Sequence, residues 1–522
     1  MKRLHRWSWL LLLPLALPVT GSPARADSLV LHARSRVETS PGSGQWQQVA
    51  KVKEWDPKKT AVVICDMWDR HWCQGASARV AEMAPRMNEV VKAARRQGAF
   101  IIHCPSGTLK FYEGTPQRRL AQAAPKVAAR NWASLDRARE GALPIDDSDG
   151  GCDDSPRCQE GAPWTRQIAT LQIEPGDAIT DSAEIYGLMD ERGIENVLIM
   201  GVHLNMCVLG RPFGIRQLVR QGKNVVLVRD LTDTMYNSRS RPFVSHFAGT
   251  DLMIDHVERH WCPTITSVDL VGGEPFRFQA DRRPNLVFLI GEDEYQTAET
   301  LPEFARRELE PRGFRVEIIQ EIPGDKGNFA GLIPALSKAD ALVVSVRRRA
   351  LPKGQLDAIR AHLEAGKPLV GIRTASHAFA PRDADREELV VKGGRAEWPR
   401  FDPEVLGGNY SGHHGTGPRA TLRPAPGAEH HPILSGVDVI PFSTAGTLYR
   451  VSPLSGSATP LLIGSVPGQP EEPVAWVHAY GPKQARVFYT SLGHPEDFDQ
   501  PAFCRLLVNG IAWALTRASP PK

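Results

Sequence analysis

The sequence predicts an α/β fold class, with two doubly wound three-layer domains that contain mainly parallel sheets and are preceded by a signal peptide. In each half, short apolar runs alternate with amphipathic stretches of helical spacing, which is typical of parallel strands covered on both faces. A Gly-, Pro- and Arg-rich connection, residues 272–284, separates the halves. The first 26 residues have the charge and apolar order of an export signal.

The N-terminus predicts export. Lys2, Arg3 and Arg6 precede an apolar run, and residues 24–26 (Ala-Arg-Ala) put small residues at the two positions that a signal peptidase reads. The run is shorter than the roughly 20 residues that a membrane span needs, although an uncleaved anchor stays the alternative. We expect cleavage after residue 26, a periplasmic or extracellular location, and no membrane association after cleavage.

The charge balance excludes one class of partner. The chain has 63 basic and 59 acidic residues, but four of the basic ones lie in the first 26 residues, so the mature chain would hold 59 of each. A formally neutral protein does not bind nucleic acid through bulk charge. We expect a small-molecule substrate as partner, and homo-oligomerisation stays open.

The first predicted domain comprises residues 28–271. Its predicted strands are Thr60–Cys65, Ala99–Cys104, Asn196–Val202 and Asn224–Arg229. Its predicted helices are Ser77–Gln97, Ile185–Arg192 and Cys207–Gln221. Strands of this apolar character, joined by helices, indicate a parallel sheet with both faces buried.

The second predicted domain comprises residues 285–518 and has its own set of elements. Its predicted strands are Asn285–Ile290, Arg315–Gln320, Ala341–Val346, Pro368–Arg373 and Arg486–Ser491. Its predicted helices are Leu301–Leu309, Lys353–Ala365 and Ala502–Leu515. The halves share no convincing repeat, so we expect two different doubly wound domains.

Two cysteines flank a turn in a stretch rich in Asp, Gly and Ser, residues 146–161. In an exported chain we expect Cys152 and Cys158 to form a disulfide. Calcium is the alternative, because five aspartates lie in the same stretch. The EF-hand pattern fails, since Cys158 stands where the twelfth-position Glu would be for a loop that starts at Asp147.

Reactive residues stand at two predicted strand ends, where ligands bind in open parallel sheets. Asp66 directly follows the strand Thr60–Cys65, and Cys207 follows Asn196–Val202 at a predicted helix start. Unpaired N–H groups and the helix dipole would favour the thiolate, which is the nucleophile, and could stabilise an oxyanion. A small buried core cysteine is the alternative.

These motifs resemble the isochorismatase-like cysteine hydrolases, a family that includes nicotinamidases. The resemblance rests on Asp66, on the segment GVHLNMCV around Cys207 and on VVLVRDLTDT downstream, and spans residues 59–267. It implies an Asp–Lys–Cys triad that hydrolyses amides, with Asp66 as general base and Cys207 as nucleophile. It also implies a cis peptide bond between Val202 and His203.

The sequence departs from the family at the lysine, because Asp181 occupies that place. Lys110, in the loop after the second predicted strand, and Arg211 are candidates for the missing positive charge. His203 is a candidate for proton transfer. We also expect Trp68, Asp181 and Arg211 to line the ligand cleft.

A metal beside the nucleophile, as in nicotinamidases, is a further possibility that the resemblance raises. Its candidate ligands are Asp69 and His71, with Cys73 close by in the segment DRHWC, although the spacing matches poorly. We expect no cofactor to be required and leave a divalent metal open.

The C-terminal half resembles the trehalose-utilisation (ThuA-like) family, which has the fold of class I glutamine amidotransferases. The resemblance covers residues 283–516 and is most specific in the closing segment VFYTSLGHPEDFDQPAFCRLLVNGIAWAL. No cysteine stands at the turn Thr374–His377, where the amidotransferases carry their nucleophile, so glutaminase chemistry is excluded there. The polar residues expected at the mouth of this domain, which suit a carbohydrate, are Arg373, His377, His413, His414, His494, Asp293 and Glu294.

Two functional hypotheses follow. The first is an exported hydrolase in which Cys207 attacks the carbonyl of a small amide or related substrate, fused to a half that binds a carbohydrate. The second is a small-molecule or sugar binding protein built on two catalytically silent enzyme folds, which Asp181 and the missing elbow cysteine favour.

Overall fold

The computed structural model describes residues 28–38, 40–44, 46–130, 136–415, 419–437 and 442–516. The predicted signal peptide, residues 1–26, lies outside this part of the chain. The described residues form an eight-stranded sheet, a nine-stranded sheet and a two-stranded ribbon. The predicted α/β fold class is confirmed. No helix among the described residues is both long enough and apolar enough to cross a bilayer.

The first half contains the eight-stranded sheet and the helices that cover it. Its strands are β1 Leu29–Glu38, β2 Trp46–Trp55, β3 Thr60–Cys65, β4 Phe100–Cys104, β5 Ala178–Ile179, β6 Asn196–Val202, β7 Asn224–Asp233 and β8 Thr264–Ile265. Its helices are α1 Gln74–Gln97, α2 Pro116–Gln122, α3 Glu184–Glu191, α4 Ile215–Arg220, α5 His246–His260 and α6 Val268–Val271.

The strand order of the first sheet places β3 beside β6. The order is β2-β1-β8-β7-β6-β3-β4-β5, in which β8 through β5 run parallel and β1 joins antiparallel to both β2 and β8. From β3 the chain proceeds to β4 on one side and later returns to β6 on the other. This reversal is a topological switch point, where the loops diverge and leave a crevice at the carboxyl ends.

Both faces of the first sheet are buried, which explains the continuous apolar runs. In β3, Ala61 and Val63 pack into one hydrophobic cluster, and Val62 and Ile64 pack into the cluster on the opposite face. All six residues of this strand are buried. Side chains that alternate between two cores require apolar residues at every position.

The second half contains the nine-stranded sheet and the ribbon. Its strands are β9 Asn285–Gly291, β10 Arg315–Gln320, β11 Ala341–Val346, β12 Leu369–Ile372, β13 Gly412–His413, β14 Ala420–Pro424, β15 Ser443–Thr444, β16 Tyr449–Arg450, β17 Thr459–Ser465, β18 Glu472–Tyr480 and β19 Ala485–Thr490. Its helices are α7 Thr297–Phe304, α8 Leu332–Lys338, α9 Lys353–Glu364, α10 Asp383–Arg386 and α11 Pro501–Leu515.

The second sheet is parallel in one part and antiparallel in the other. Its order is β10-β9-β11-β12-β19-β18-β17-β14-β15; the first five strands are parallel, and β18, β17, β14 and β15 continue the sheet antiparallel. The ribbon pairs β13 with β16. The antiparallel extension and the β1–β2 hairpin were not among the predicted strands. In β1 and β14 buried and exposed residues alternate, so these strands carry fewer apolar residues than buried parallel ones.

The predicted continuous helix Cys207–Gln221 is wrong. A π-helical turn, Leu204–Val208, holds Cys207, and α4 begins only at Ile215. Pro212 and Gly214 lie in the break: proline lacks the N–H that a helix interior requires, and glycine has a low helix propensity. Cys207 therefore does not stand at the first turn of a long helix.

Candidate active site

Asp66 lies directly beyond β3, at the switch point of the first sheet. Its backbone adopts a left-handed conformation (φ 47°), and its Oδ1 accepts a hydrogen bond of 2.7 Å from the Ser106 N–H. The side chain is fully buried. Burial raises the pKa of Asp66 to about 6, against the lowering effect of hydrogen bonds from the Cys207 thiol and Ser106. Among the described residues no conventional donor reaches Oδ2, so this oxygen is available to accept a proton.

Cys207 meets Asp66 from the adjacent strand end. The thiol is half-buried and interacts with the Asp66 carboxylate and with the Arg211 guanidinium. Burial and the negative charge of Asp66 raise the pKa of Cys207 to about 12, while Arg211 lowers it. Burial and the neighbouring carboxylate thus oppose the preformed thiolate that the sequence predicted, and they favour a thiol beside a carboxylate.

A glycine lets the two strand ends approach. Cys65 in β3 pairs with Gly201 in β6, and a Cβ on Gly201 would lie 2.0 Å from the Cys65 carbonyl oxygen. Gly201 also has φ +116°, which residues with side chains rarely adopt. The peptide bond between Val202 and His203 is cis, as the resemblance implied.

The positive charge at the thiol comes from Arg211. The charges of Cys207 and Asp66 raise the pKa of Arg211 although burial opposes this. Lys110 is exposed on the 3-10 turn Leu109–Tyr112. Asp181, at the family's lysine position, accepts a 3.0 Å hydrogen bond from the Gly107 N–H and thereby joins the loops after β4 and β5.

Stacked aromatic rings form a wall beside these groups. Trp68 stacks on Trp164 with 4.5 Å between ring centroids, and His71 stacks on Trp164 at 5.7 Å. Trp68 also donates from Nε1 to the Ser106 carbonyl at 3.1 Å, which places the wall next to the loop that holds Asp66. Sequence reasoning missed Ser106 and Trp164, because their loops are far from both motifs along the chain.

His203 lies on the His71 side of the strand end. Its ring is edge-on to His71 at 5.1 Å, and burial, followed by the charges of His71 and neighbouring groups, lowers the pKa of His203 to about 3. Its Nε2 is buried without a conventional partner among the described residues. A neutral imidazole with these surroundings does not support the proton-transfer role that the sequence predicted.

The predicted metal ligands Asp69 and His71 do not fit a metal. Both oxygens of Asp69 accept hydrogen bonds from Thr165, from its N–H at 2.9 Å and its hydroxyl at 2.6 Å. His71 accepts from the Cys73 N–H through Nδ1 at 3.2 Å. Because these side chains satisfy separate local donors, they do not converge on a common point.

The predicted disulfide between Cys152 and Cys158 is wrong, since both are free thiols. Each sulfur contacts the Asp154 carboxylate instead, Cys152 at 3.6 Å and Cys158 at 3.1 Å from Oδ2. The calcium alternative also fails, because neighbouring carboxylates serve separate donors; Asp149, for example, accepts from Asn237 at 2.7 Å.

In the second half, Arg373 occupies the turn after β12. Its backbone is left-handed (φ 43°), and its guanidinium carbon lies 4.2 Å and 4.7 Å from the ring centroids of Tyr295 and Tyr449. It also donates to the Ser491 carbonyl at 2.7 Å. The Arg373 side chain is 2% exposed, so it packs beneath the expected ligand-binding surface at the end of β12 and does not project from that surface.

His377 and His494 lie near this arginine, whereas His414 does not contact it. His377 stacks on Tyr410 at 4.4 Å, and burial with Arg348 second lowers the pKa of His377 to about 3. The His494 ring lies 6.3 Å from that of Tyr295.

The His414 Nε2 lies 3.4 Å from a carboxylate oxygen of Glu472 on β18. His413 is exposed and contacts the His414 carbonyl. The predicted acids of this mouth are ion-paired, Asp293 with Lys326 and Arg349, and Glu294 with Arg347.

A cavity of about 1060 Å³ is lined by residues of both halves. Its lining includes Arg34, Arg229, Phe278, Glu310 and Arg315, and neither Asp66 nor Cys207. Because the cavity lacks Asp66 and Cys207, it does not match the predicted cysteine hydrolase chemistry.

Residues 286–514 match the family described as ThuA, trehalose utilisation. The C-terminal half is ThuA-like. A solved ThuA-like protein from Parabacteroides merdae ATCC 43184 aligns with 46% of this chain and 93% of its own, at 17% identity and a TM-score of 0.35. None of the curated proteins compared with the chain matches it.

The N-terminal half resembles solved isochorismatase-like cysteine hydrolases. A cysteine hydrolase from Pseudomonas syringae pv. phaseolicola 1448A aligns with 42% of this chain and 93% of its own, at 15% identity and a TM-score of 0.27. N-carbamoylsarcosine amidase from Thermoplasma acidophilum aligns with 40% of this chain and 96% of its own, at 12% identity and a TM-score of 0.23. Both halves thus resemble the families expected from the sequence.

Proposed function

We propose that the N-terminal half is a hydrolase of small amides, with Cys207 as nucleophile, Asp66 as general base and Arg211 as the cation. The position of Asp66 and Cys207 beyond the adjacent parallel strands β3 and β6, together with the electrostatic interaction of both groups with Arg211, carries this proposal. These groups meet at a topological switch point, where ligands bind in open α/β sheets. The catalytic set is therefore Asp–Arg–Cys, with arginine in place of the family's lysine.

The chemistry proceeds through a thioester. The Cys207 sulfur attacks the carbonyl carbon as its proton passes to the Asp66 carboxylate, and a C–S bond forms. Asp66 returns the proton to the amide nitrogen, the C–N bond breaks and ammonia leaves. Water, deprotonated by Asp66, then attacks the thioester, so the acid is released and the thiol is restored. Arg211 stabilises negative charge at the sulfur and at the carbonyl oxygen.

The cleft favours a planar or apolar substrate group next to the amide. Trp164 is half-buried and offers an aromatic surface beside the loop that holds Asp66. Aromatic faces bind planar groups by offset stacking. The acidic Asp181 near the mouth disfavours a carboxylate there by like-charge repulsion.

Ammonia release from a panel of neutral primary amides and carbamoyl compounds tests the hydrolase. We expect turnover by the full chain, loss of turnover in Cys207→Ala, and unchanged turnover in Cys262→Ala, a control at a buried thiol outside the cleft. A thioester adduct on Cys207 should be detectable by mass spectrometry. Binding of these compounds without ammonia release would instead favour a catalytically silent binding protein.

We also propose that the ThuA-like half binds a small polyhydroxylated ligand at the mouth after β12. Half-buried Tyr295 and Tyr410, beside His377, supply ring faces and hydroxyl groups of the kind that bind sugars. Calorimetry with mono- and disaccharides tests this: Tyr410→Ala should abolish heat of binding that Cys504→Ala retains. Equal binding by both variants would contradict it.

Export to the periplasm or beyond, with a small molecule as partner, completes the proposed function. The N-terminal segment, residues 1–26, has the features of an export signal, and a signal peptidase would remove it during secretion. N-terminal sequencing of the protein from the native host tests this, and a mature N-terminus at Asp27 is the expected result.

A further inference from the structure

Three cysteines and one aspartate converge outside the Cys207 cleft. Cys73 stands at the N-cap of α1, and the other three residues lie in the long connection between α2 and β5. From Asp154 Oδ2, the sulfurs of Cys73, Cys152 and Cys158 lie at 3.3, 3.6 and 3.1 Å. The ligand atoms of Cys73, Cys152 and Asp154 all lie within 4.8 Å of one another, and the Cys158 sulfur lies at the edge of this group, in contact with Asp154.

The distances suit a common tetrahedral metal. With Zn–S of about 2.3 Å and Zn–O of about 2.0 Å, neighbouring sulfur and oxygen ligands of a tetrahedral zinc lie roughly 3.5 Å apart. The three S···O distances, 3.1 to 3.6 Å, bracket that value. A disulfide would require two of the sulfurs at about 2.0 Å, and all three cysteines are free.

The start of α1 supplies hydrogen bonds to the same ligand atoms. The N–H of Gln74 donates to the Cys158 sulfur at 3.5 Å, that of Gly75 to Asp154 Oδ2 at 2.9 Å, and that of Ala76 to the Cys73 sulfur at 3.5 Å. These amides have no partners within the helix and attract negative charge. They orient ligands and stabilise thiolates as outer-shell groups do at metal sites.

Burial and nearby cations fit an anionic metal site. Cys73 and Cys152 are completely buried and Cys158 is half-buried. Three thiolates and a carboxylate exceed the charge of one Zn²⁺ by two. Arg239, which donates to the Asp154 carbonyl at 3.2 Å, offsets part of that excess. Arg79 also interacts with Cys73, although it is ion-paired with Asp233 at 2.6 Å.

We propose that Cys73, Cys152 and Asp154 bind one structural zinc ion, and that the Cys158 sulfur, which lies 3.1 Å from Asp154 Oδ2, moves inward to become the fourth ligand. Four protein ligands leave no open position for substrate, which is the pattern of structural and not catalytic zinc. The ion would link the start of α1 to the long connection between α2 and β5. The described part of this connection, between residues 123 and 177, contains no helix or strand. The same connection reaches the Cys207 segment through Asp147, which accepts a 2.7 Å hydrogen bond from Asn205.

Metal content of the purified full chain tests the site. We expect about one zinc per chain by elemental analysis, and its loss in Cys152→Ala and in Cys158→Ala. Cys262→Ala, at a buried free thiol outside the cluster, should keep the zinc and serves as the matched control. Cys158 is half-buried, so its variant keeps the test valid if the Cys152 variant does not fold.

Cobalt supplies a second readout that does not depend on variants. The bound metal is first removed with a chelator, and Co²⁺ is then added to the full chain. The cobalt protein should show the intense visible bands of tetrahedral cobalt and thiolate charge-transfer absorption in the near ultraviolet. Addition of zinc should abolish both sets of bands. The thiols of Cys73, Cys152 and Cys158 should resist alkylation until the metal is removed. Protein without stoichiometric metal, or with a disulfide between any two of these cysteines by non-reducing peptide mapping, would overturn the assignment.

Discussion

Replacing the general base should stabilise the protein while it removes the proposed chemistry. Asp66 is fully buried, and Oδ2 has no conventional hydrogen-bond partner among the described residues. In Asp66→Asn the amide oxygen can still accept from the Ser106 N–H, and the amide nitrogen can donate to the Cys207 sulfur. The substitution therefore keeps the contacts and removes the buried charge.

The magnitude follows from the pKa of Asp66. Burial raises it from 3.8 to about 6, so the native state holds this proton more tightly than the unfolded chain and ionisation opposes folding. The penalty is about 3 kcal/mol at pH 7, about half of that at pH 5, and vanishes below pH 4 or so. We expect Asp66→Asn to gain most of this free energy at neutral pH and little of it in acid.

Pulsed alkylation in urea, read by mass spectrometry, measures the gain locally. Cys65 and Cys104, both fully buried in β3 and β4, report unfolding of the first half, and Cys504 in α11 reports the second half. The Cys65 and Cys104 transitions should move to higher urea at pH 7, and the shift should shrink at pH 5. A variant no more stable than the native chain at pH 7, or a gain independent of pH, would refute the reasoning.

Three further predictions follow. Arg211→Ala should slow alkylation of Cys207 at pH 8 by about tenfold, from roughly 1.4 kcal/mol of lost charge stabilisation, and Arg211→Lys should retain most of the native rate; equal rates in all three chains would argue against a role for this cation. Gly201→Ala should destabilise the first half by more than about 4 kcal/mol or prevent folding, because its Cβ would lie 2.0 Å from a backbone oxygen. The control Gly176→Ala, at φ +92° with nothing within 4 Å, should cost only about 1 kcal/mol in the same urea assay. Similar losses of stability in the two variants would contradict the steric account. Trp164→Ala should raise KM for hydrolysed amides about tenfold at a nearly constant kcat, since the ring binds and does not react; a fall in kcat alone would show that the wall is not a binding surface.

The buried parallel strands could be predicted from the sequence almost to the residue. Thr60–Cys65, Asn196–Val202 and Ala341–Val346 have the predicted bounds and are buried along their whole length, because a strand buried on both faces must be largely apolar and polar residues mark its ends. The hairpin β1–β2 could not be predicted in this way. Its strands mix charged and apolar residues, since only part of each is covered.

The candidate site was partly predictable for a related reason. Asp66 and Cys207 each follow a predicted strand, and neighbouring parallel strands bring such residues together. The state of the thiol was not predictable, because it depends on burial and on Asp66, neither of which spacing reveals. The helix start expected at Cys207 is a short π-helical turn, so Arg211 supplies positive charge that a helix dipole was expected to supply.

The cluster of Cys73, Cys152, Cys158 and Asp154 could not be predicted from the spacing of residues along the chain. Cys152 and Cys158 are close in sequence, which favoured a disulfide between them. The structure adds Cys73 from the start of α1 and sets Asp154 among the three sulfurs. A ligand set drawn from two distant segments has no signature in one sequence, because only the fold brings its members together.

The pH dependence of Cys207 alkylation by iodoacetamide tests the central claim most directly. Burial and the Asp66 carboxylate raise the pKa of Cys207 to about 12, so the native rate should climb by about tenfold per pH unit between about pH 7 and 9 without levelling off. Asp66→Asn removes the negative charge that holds the proton on the thiol, so the variant should react faster than the native chain throughout this interval and begin to level off at a lower pH. Coincident profiles for the two chains would contradict the pairing of Cys207 with Asp66.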